Sequence, residues 1–199
     1  GAKSYPSGPW DELSLWLELK PAEGSPNTPG SNTNKTVNKL GNDACWATLR
    51  AVNYHQRPNH ADQLHVDLWC RGENLLLDAG SYQYNALPPW DNALASTRVH
   101  NTVTVDNQDQ MTRAGRFLWL DWAQARVINR TERMITAEHT GYGKLGVLHH
   151  RTLERVSELD WKVIDDLLPM KTTGRHLYRI HWLVADGKYK VDGNNLDAT

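Results

Sequence analysis

The sequence predicts an all-β domain, an antiparallel β-sandwich (a supersandwich) preceded by a linker and one short helix. Three observations predict it. From Ala44 onward, apolar residues recur with period two in short runs; turn-forming residues bound each run; and no βαβ alternation or glycine-rich phosphate loop interrupts them. At 199 residues the chain is long enough for one substantial core.

The elements follow in order. Trp10 to Leu19, WDELSLWLEL, fits two periods: Leu13, Trp16 and Leu17 have helical spacing, while Leu13, Leu15, Leu17 and Leu19 alternate like a strand. Asp11 suits an N-cap, so the segment is read as a short helix. KPAEGSPNTPGSNTNKTVNKLGND carries too little apolar surface to pack and reads as a linker. Residues 1–43 therefore form the end of a preceding region plus a linker, and 44–199 the β-domain. Within that domain ACWATLRAV, QLHVDLWC, NLLLDAG, NTVTVDN, FLWLDWAQARVI, RMITAEH, VLHHRTLERV, WKVIDDLL and HLYRIHWLVA read as strands. RPN, RGEN, VDNQD, HTGYGK, SELD, KTTG and ADGK supply the turns between them. The chain stops at NNLDAT without a closing element, so truncation at the C-terminus is expected. It opens without an initiator Met or a charged-then-apolar leader, as after removal of a signal peptide or excision from a longer polypeptide.

Composition excludes several classes. The net charge is −1, with acids and bases mixed throughout, which argues against the concentrated basic surface that nucleic acid requires. No apolar run approaches the roughly 20 residues that span a bilayer. Cys45 and Cys70 are too few for a disulfide framework. A hairpin turning at Arg57–Pro58 would set them nearly opposite, and two buried thiols is the reading adopted. Nine Trp and seven Tyr stand against a single Phe, a balance that suits either core packing or stacking on sugar rings.

The segment RPNHADQLHVDLWCRGENLLLDAGSYQYN carries His60, Asp62, His65, Asp67 and Asp78 among its apolar residues. Alternation puts Leu64, Val66, Leu68 and Cys70 on one face and His65, Asp67 and Trp69 on the other, so His65 and Asp67 read as the wet face of a sheet. His60 and Asp78 sit at strand boundaries beside turns, as does His100 in TRVHNTVTVD. Two imidazoles and a carboxylate from three separate strands match the donor set of zinc, usually completed by water. Their wide spacing has no local signature, and satisfied polar residues at a sheet edge, or a metal-binding cupin-like barrel, fit the same pattern. Asp62 is read as fixing its own turn and Asn101 as anchoring a strand start.

The HAD element, the alternating run after it, GENLLLDAGSYQYN, and VHNTVTVD, taken together and in this order, resemble the heparinase II/III-like polysaccharide lyases. The likeness continues through Gln110–Ala125, Leu145–Arg151, Val163–Leu168 and HWLVAD, covering roughly Ala44 to Asp186. It implies the C-terminal β-sandwich of an enzyme that cleaves acidic, uronate-containing polysaccharide by β-elimination, with an N-terminal α/α toroid domain on the same polypeptide. It further implies a structural zinc held by His60, Asp78 and His100, and a bacterial, periplasmic or secreted location. Well-studied members carry another His two positions before the zinc-binding one; Pro58 stands there in this chain, and His55 does not replace it. The remaining catalytic groups of the family lie on the toroid, of which only the Trp10–Leu19 segment would be present, so the chain is expected to be catalytically incomplete.

Proton abstraction at C5 of a uronate requires neutralisation of the adjacent carboxylate and a base within about 3 Å. Tyr82, Tyr84 and Arg98 are the candidates for contacting substrate in that cleft, and each also reads as an ordinary packing or surface residue. Two other classes compete with the lyase reading: a non-catalytic carbohydrate-binding module, and a metal-dependent cupin-type enzyme acting on a small molecule.

Overall fold

A computed structural model describes residues 37–83, 85–170 and 174–198. The helix expected at Trp10–Leu19 and the linker up to residue 36 lie outside the described residues. Strands β1 (Val37–Gly41), β2 (Cys45–Arg50), β3 (Val66–Cys70) and β4 (Glu73–Leu76) form one antiparallel sheet in that order. Three short strands follow: β5 (Val103–Val105), β6 (Thr112–Gly115) and β7 (Leu118–Leu120), the last two paired as a ribbon. Strands β8 (Ala125–Arg130), β9 (Met134–His139), β10 (Val147–Arg155) and β11 (Trp161–Pro169) form the second four-stranded sheet, ordered β11-β10-β9-β8. Strand β12 (Tyr178–Ile180) pairs with β5, and β13 (Tyr189–Asp192) with β14 (Asn195–Ala198).

The two larger sheets make the expected sandwich. Alternation in β2 buries Cys45, Ala47 and Leu49. With Leu40 and Val66 of the same sheet, Ala47 and Leu49 meet Ala125, Ile135, Ala137 and Leu153 of the other sheet in one apolar cluster. Cys45 and Cys70 face each other across β2 and β3 and are joined as a disulfide, rather than remaining two thiols.

Several segments differ from their sequence reading. Val37–Gly41, placed in the linker by composition, pairs with β2 as β1, because one apolar side chain, Leu40, suffices to seat an edge strand. FLWLDWAQARVI breaks into β7 and β8 at Asp121, whose φ of 55° no strand accommodates. Only Tyr178–Ile180 of HLYRIHWLVA is a strand. The terminal hairpin β13–β14 turns at Gly193 (φ 57°), at an Asp-Gly pair that is itself a hairpin signal.

The core also contains a polar chain. His149 and Arg151 share the buried face of β10 with Val147 and Leu153. The Gly141 N–H donates to His139 Nδ1 (3.0 Å), which leaves the proton of that ring on Nε2, 3.0 Å from His149 Nδ1. His149 Nε2 in turn reaches Asp165 Oδ1 at 2.6 Å. Burial pushes both imidazoles below their ordinary range, His149 against the pull of Asp165. Burial pushes the Asp165 carboxyl up, but Arg151 and His149 outweigh it and hold it below the usual carboxylate range.

The signs set an acid limit on stability. An imidazole neutral in the folded chain and protonated in the unfolded one binds fewer protons when folded, so stability falls as pH drops below about 6.5. The depressed Asp165 contributes in full above about pH 4, and its share is lost progressively as pH falls below that. Urea denaturation should give an unfolding free energy about 1–3 kcal/mol lower at pH 5.5 than at pH 7.5 from His139 and His149. An unchanged midpoint would show that both rings protonate as readily folded as unfolded.

Candidate functional site

The three residues singled out in sequence come together. His60, Asp78 and His100 each offer one ligand atom, and those atoms lie within 4.8 Å of one another. They stand on loops rather than on strands: His60 between β2 and β3, Asp78 just after β4, and His100 at the end of a single 3-10 turn, Thr97–Val99, before β5. Loop placement is possible because hydrogen bonds tie these loops to one another. Thr97 Oγ1 donates to the Ala61 carbonyl (2.7 Å), and the Ala61 N–H donates to the Ala95 carbonyl (2.9 Å). The Gly80 N–H turns back on Asp78 Oδ1 at 2.6 Å, in a left-handed conformation (φ 63°) that glycine adopts without strain.

Asn101 anchors more than the strand start assigned to it. Its fully buried Nδ2 donates to the carbonyls of Val66 and Leu77, both at 2.9 Å, and its Oδ1 accepts the Leu183 N–H at 2.6 Å. One carboxamide thus fixes β3, the residue before Asp78 and the segment after β12.

His65 is a correction. Leu64 adopts φ 58°, so β3 begins only at Val66 and the alternation does not extend back to His65. The ring is buried instead of wet. Its Nδ1 accepts the Asn101 N–H (3.0 Å), so its proton sits on Nε2, 3.4 Å from Asp78 Oδ2. An Nε2 carrying a proton cannot ligate; this side chain orients the carboxylate. Asp67 is half-buried, also not fully wet. Asp62 accepts from Arg50 Nε at 2.8 Å, an ion pair rather than the self-contained turn expected of it.

The electrostatics suit a cation. Burial lowers His60, opposed by Asp62 and Asp78 and reinforced by His100, and burial lowers His65 to about 3. Burial raises Asp78, but the rings of His100 and His65 and the Gly80 N–H outweigh it and keep the carboxyl below its ordinary range. Near neutral pH His60 is therefore held as an uncharged imidazole and Asp78 as a carboxylate. His100 is fully buried, lies 3.2 Å from Asp78 Oδ2, and yet among the described residues has no aligned hydrogen bond at either ring nitrogen. Such an orphaned atom costs about 1–3 kcal/mol unless something pairs with it. Tyr54, whose hydroxyl approaches Asp62 Oδ1 at 3.4 Å, is pushed up to about 12 by burial and by that carboxylate, so it stays protonated.

Of the residues proposed to touch substrate, Tyr82 is 66% exposed and Arg98 is exposed on the turn leading to His100. Tyr84 lies outside the described residues. Sequence reasoning missed Trp90, 56% exposed, which packs edge-on against Tyr82 with centroids 5.9 Å apart. It also missed Ser81, whose Oγ lies 3.3 Å from His60 Nε2. The Trp90 loop is braced by Arg113, which donates to the Asp91 carbonyl (2.5 Å), and by Arg116, which donates to Asn85 Oδ1 (3.3 Å). The Pro-Pro-Trp composition of that loop gives no periodicity from which its direction could have been read.

Comparison with known proteins bears on this geometry. Residues 39–196 match the sequence model described as heparinase II/III-like, C-terminal. The fold is similar to a solved heparinase III, the BT4657 gene product (TM-score 0.64, 19% identity, 92% of this chain and 29% of that one). It is also similar to the heparan sulfate lyase HepC from Pedobacter heparinus (TM-score 0.61, 20% identity, 92% of this chain and 30% of that one). The chain thus spans less than a third of the length of either. No curated protein matches it in sequence. Among the described residues, no helix is long and apolar enough to cross a membrane.

Replacing Asn101 with Ala strands two carbonyls and one N–H, and should lower the unfolding free energy by about 3 kcal/mol in urea denaturation. A loss below about 1 kcal/mol would mean that water takes over the bonds of the carboxamide.

Proposed function

The chain belongs to the heparinase II/III-like family, as a C-terminal domain, and from that premise we propose that it forms one wall of the cleft of a polysaccharide lyase. The substrate is a uronate-containing polysaccharide cleaved by β-elimination, and His60, Asp78 and His100 hold a structural zinc. The observation that carries this reading is the convergence of those three side chains around an imidazole with no aligned hydrogen bond among the described residues. Neutral imidazole nitrogen and carboxylate oxygen are zinc donors. A divalent ion bound there supplies a fixed charge that ties three loops together and shapes the cleft floor.

The residues of the chain divide the remaining work. Tyr82 and Trp90 offer flat apolar faces for sugar rings, and Arg98 a cation for carboxylate or sulfate. Tyr54 remains a phenol and cannot accept the C5 proton at neutral pH. Pro58, in place of the family histidine, removes one substrate contact from this wall. The base and the group that neutralises the carboxylate are therefore assigned to a toroid domain of the same polypeptide, and the enzyme to a periplasmic or secreted location.

A second reading, a non-catalytic carbohydrate-binding module, draws on that same proline and on the exposed Tyr82–Trp90 pair. The cupin-type reading has no support in a chain of this family.

Metal analysis of the purified chain should find one zinc per molecule, lost in His60→Ala and on chelation, with a lower melting temperature in both cases. Zinc-free protein with an unchanged melting temperature for His60→Ala would remove the metal site. Joined to its upstream domain, the chain should release unsaturated, ultraviolet-absorbing sugars from heparan-type or alginate-type polymers. Trp90→Ala should weaken oligosaccharide binding by about 1–3 kcal/mol, the range for a lost stacking partner. Binding without product would favour the module.

A further inference from the structure

We infer that Arg151 is a positioning residue for the His60–Asp78–His100 group, holding the backbone beside it from across the core. Its functional weight rests on the metal reading above; its geometry rests on hydrogen bonds alone. Arg151 is fully buried on β10. Its Nε and Nη2 fork onto the two oxygens of Asp165 at 2.7 and 2.9 Å. Its Nη1 points the other way and donates to the carbonyls of Leu64 (2.8 Å) and Asn101 (2.5 Å). Leu64 directly precedes His65, and Asn101 directly follows His100.

Each end of this bridge has a reason to exist. The left-handed Leu64 (φ 58°) is a conformation that a branched side chain keeps only when its surroundings hold it. Its N–H is tied to the Arg50 carbonyl (2.8 Å) and its C=O to Arg151. The turn at Leu64 brings His65 Nε2 to Asp78. At the other end Asp165 is fixed by His149, His149 by His139, and His139 by the Gly141 N–H. A Cβ at Gly141 would come within 2.9 Å of His139 Nδ1 and 2.7 Å of the Gln110 carbonyl, so that anchor requires glycine. The ring of Trp182 lies over the guanidinium at 5.3 Å. The geometry demands arginine because a planar fork directs donors to opposite sides, which a lysine ammonium cannot do.

An ion pair that merely filled the core would destabilise the fold when altered, without singling out the metal-site loops. The test therefore compares Arg151→Lys with Leu153→Ala, a core substitution on the same strand, in the full chain. Zinc affinity is measured by competition with a chromogenic chelator, and hydrogen exchange at the Asn101 and Val66 amides is followed in metal-free protein. Arg151→Lys should weaken zinc binding about tenfold or more and speed exchange at both amides. Leu153→Ala should lower the melting temperature at least as much while zinc affinity stays within about twofold of the parent, since it removes apolar packing but none of the hydrogen bonds of the bridge. Zinc binding in Arg151→Lys no weaker than in Leu153→Ala overturns the inference. If the parent takes up no zinc, the metal reading fails, and the amides alone decide: unchanged protection in Arg151→Lys overturns the positioning role, and faster exchange supports it. Should Arg151→Lys not fold, Asp165→Asn, which keeps the guanidinium but loosens its anchor, is judged by the same two readouts.

Discussion

The carboxamide of Asn101 is the joint on which the site depends. A buried amide can make four hydrogen bonds, and this one makes three, to segments 24 to 82 residues away in the chain. Its own N–H and C=O serve His65 and Arg151. Loops are ordinarily the mobile part of a sandwich. Here the loops that carry His60, Asp78 and His100 are pinned to strands by groups that cannot leave without stranding a buried donor or acceptor. Precision at the cluster comes from polar satisfaction more than from apolar packing.

That division explains what could be read in the sequence. The sandwich was legible because short runs such as β2 alternate and turn-forming residues bound each of them. The three candidate ligands were legible because each is a donor-bearing residue beside a turn in a recognisable order of motifs. His65 was not, since one left-handed residue at Leu64 shifts the register and nothing in a leucine announces that conformation. The buried faces of β10 were equally opaque. Val147, His149, Arg151 and Leu153 point inward and Leu148, His150, Thr152 and Glu154 outward, so neither face is plainly apolar. Trp90 lies on a loop braced by backbone-directed arginines, and period-based reading has no purchase there.

A buried ion pair contributes little net stability by itself, because desolvation offsets most of the Coulombic gain. The Arg151–Asp165 fork is better understood through what its remaining donors reach. An apolar replacement of similar volume could fill the same space, but it would leave the carbonyls of Leu64 and Asn101 unpaired and the strained turn unsupported. Specificity of backbone position, rather than core energy, is what the guanidinium contributes.

A metal in this cluster would be structural. A catalytic zinc needs an open coordination position facing substrate and a group nearby to manage protons. His100 is wholly buried, while Asp78 is 36% exposed and His60 partly so, which puts access on the side of those two residues. The Tyr54 phenol, whose hydroxyl lies 3.5 Å from the His60 carbonyl, is held in its protonated form by burial and by Asp62. His65 turns its proton toward Asp78. Under the lyase reading proposed above, a group arranged in this way would stiffen the loops that carry Tyr82 and Arg98 and leave elimination to side chains outside this wall.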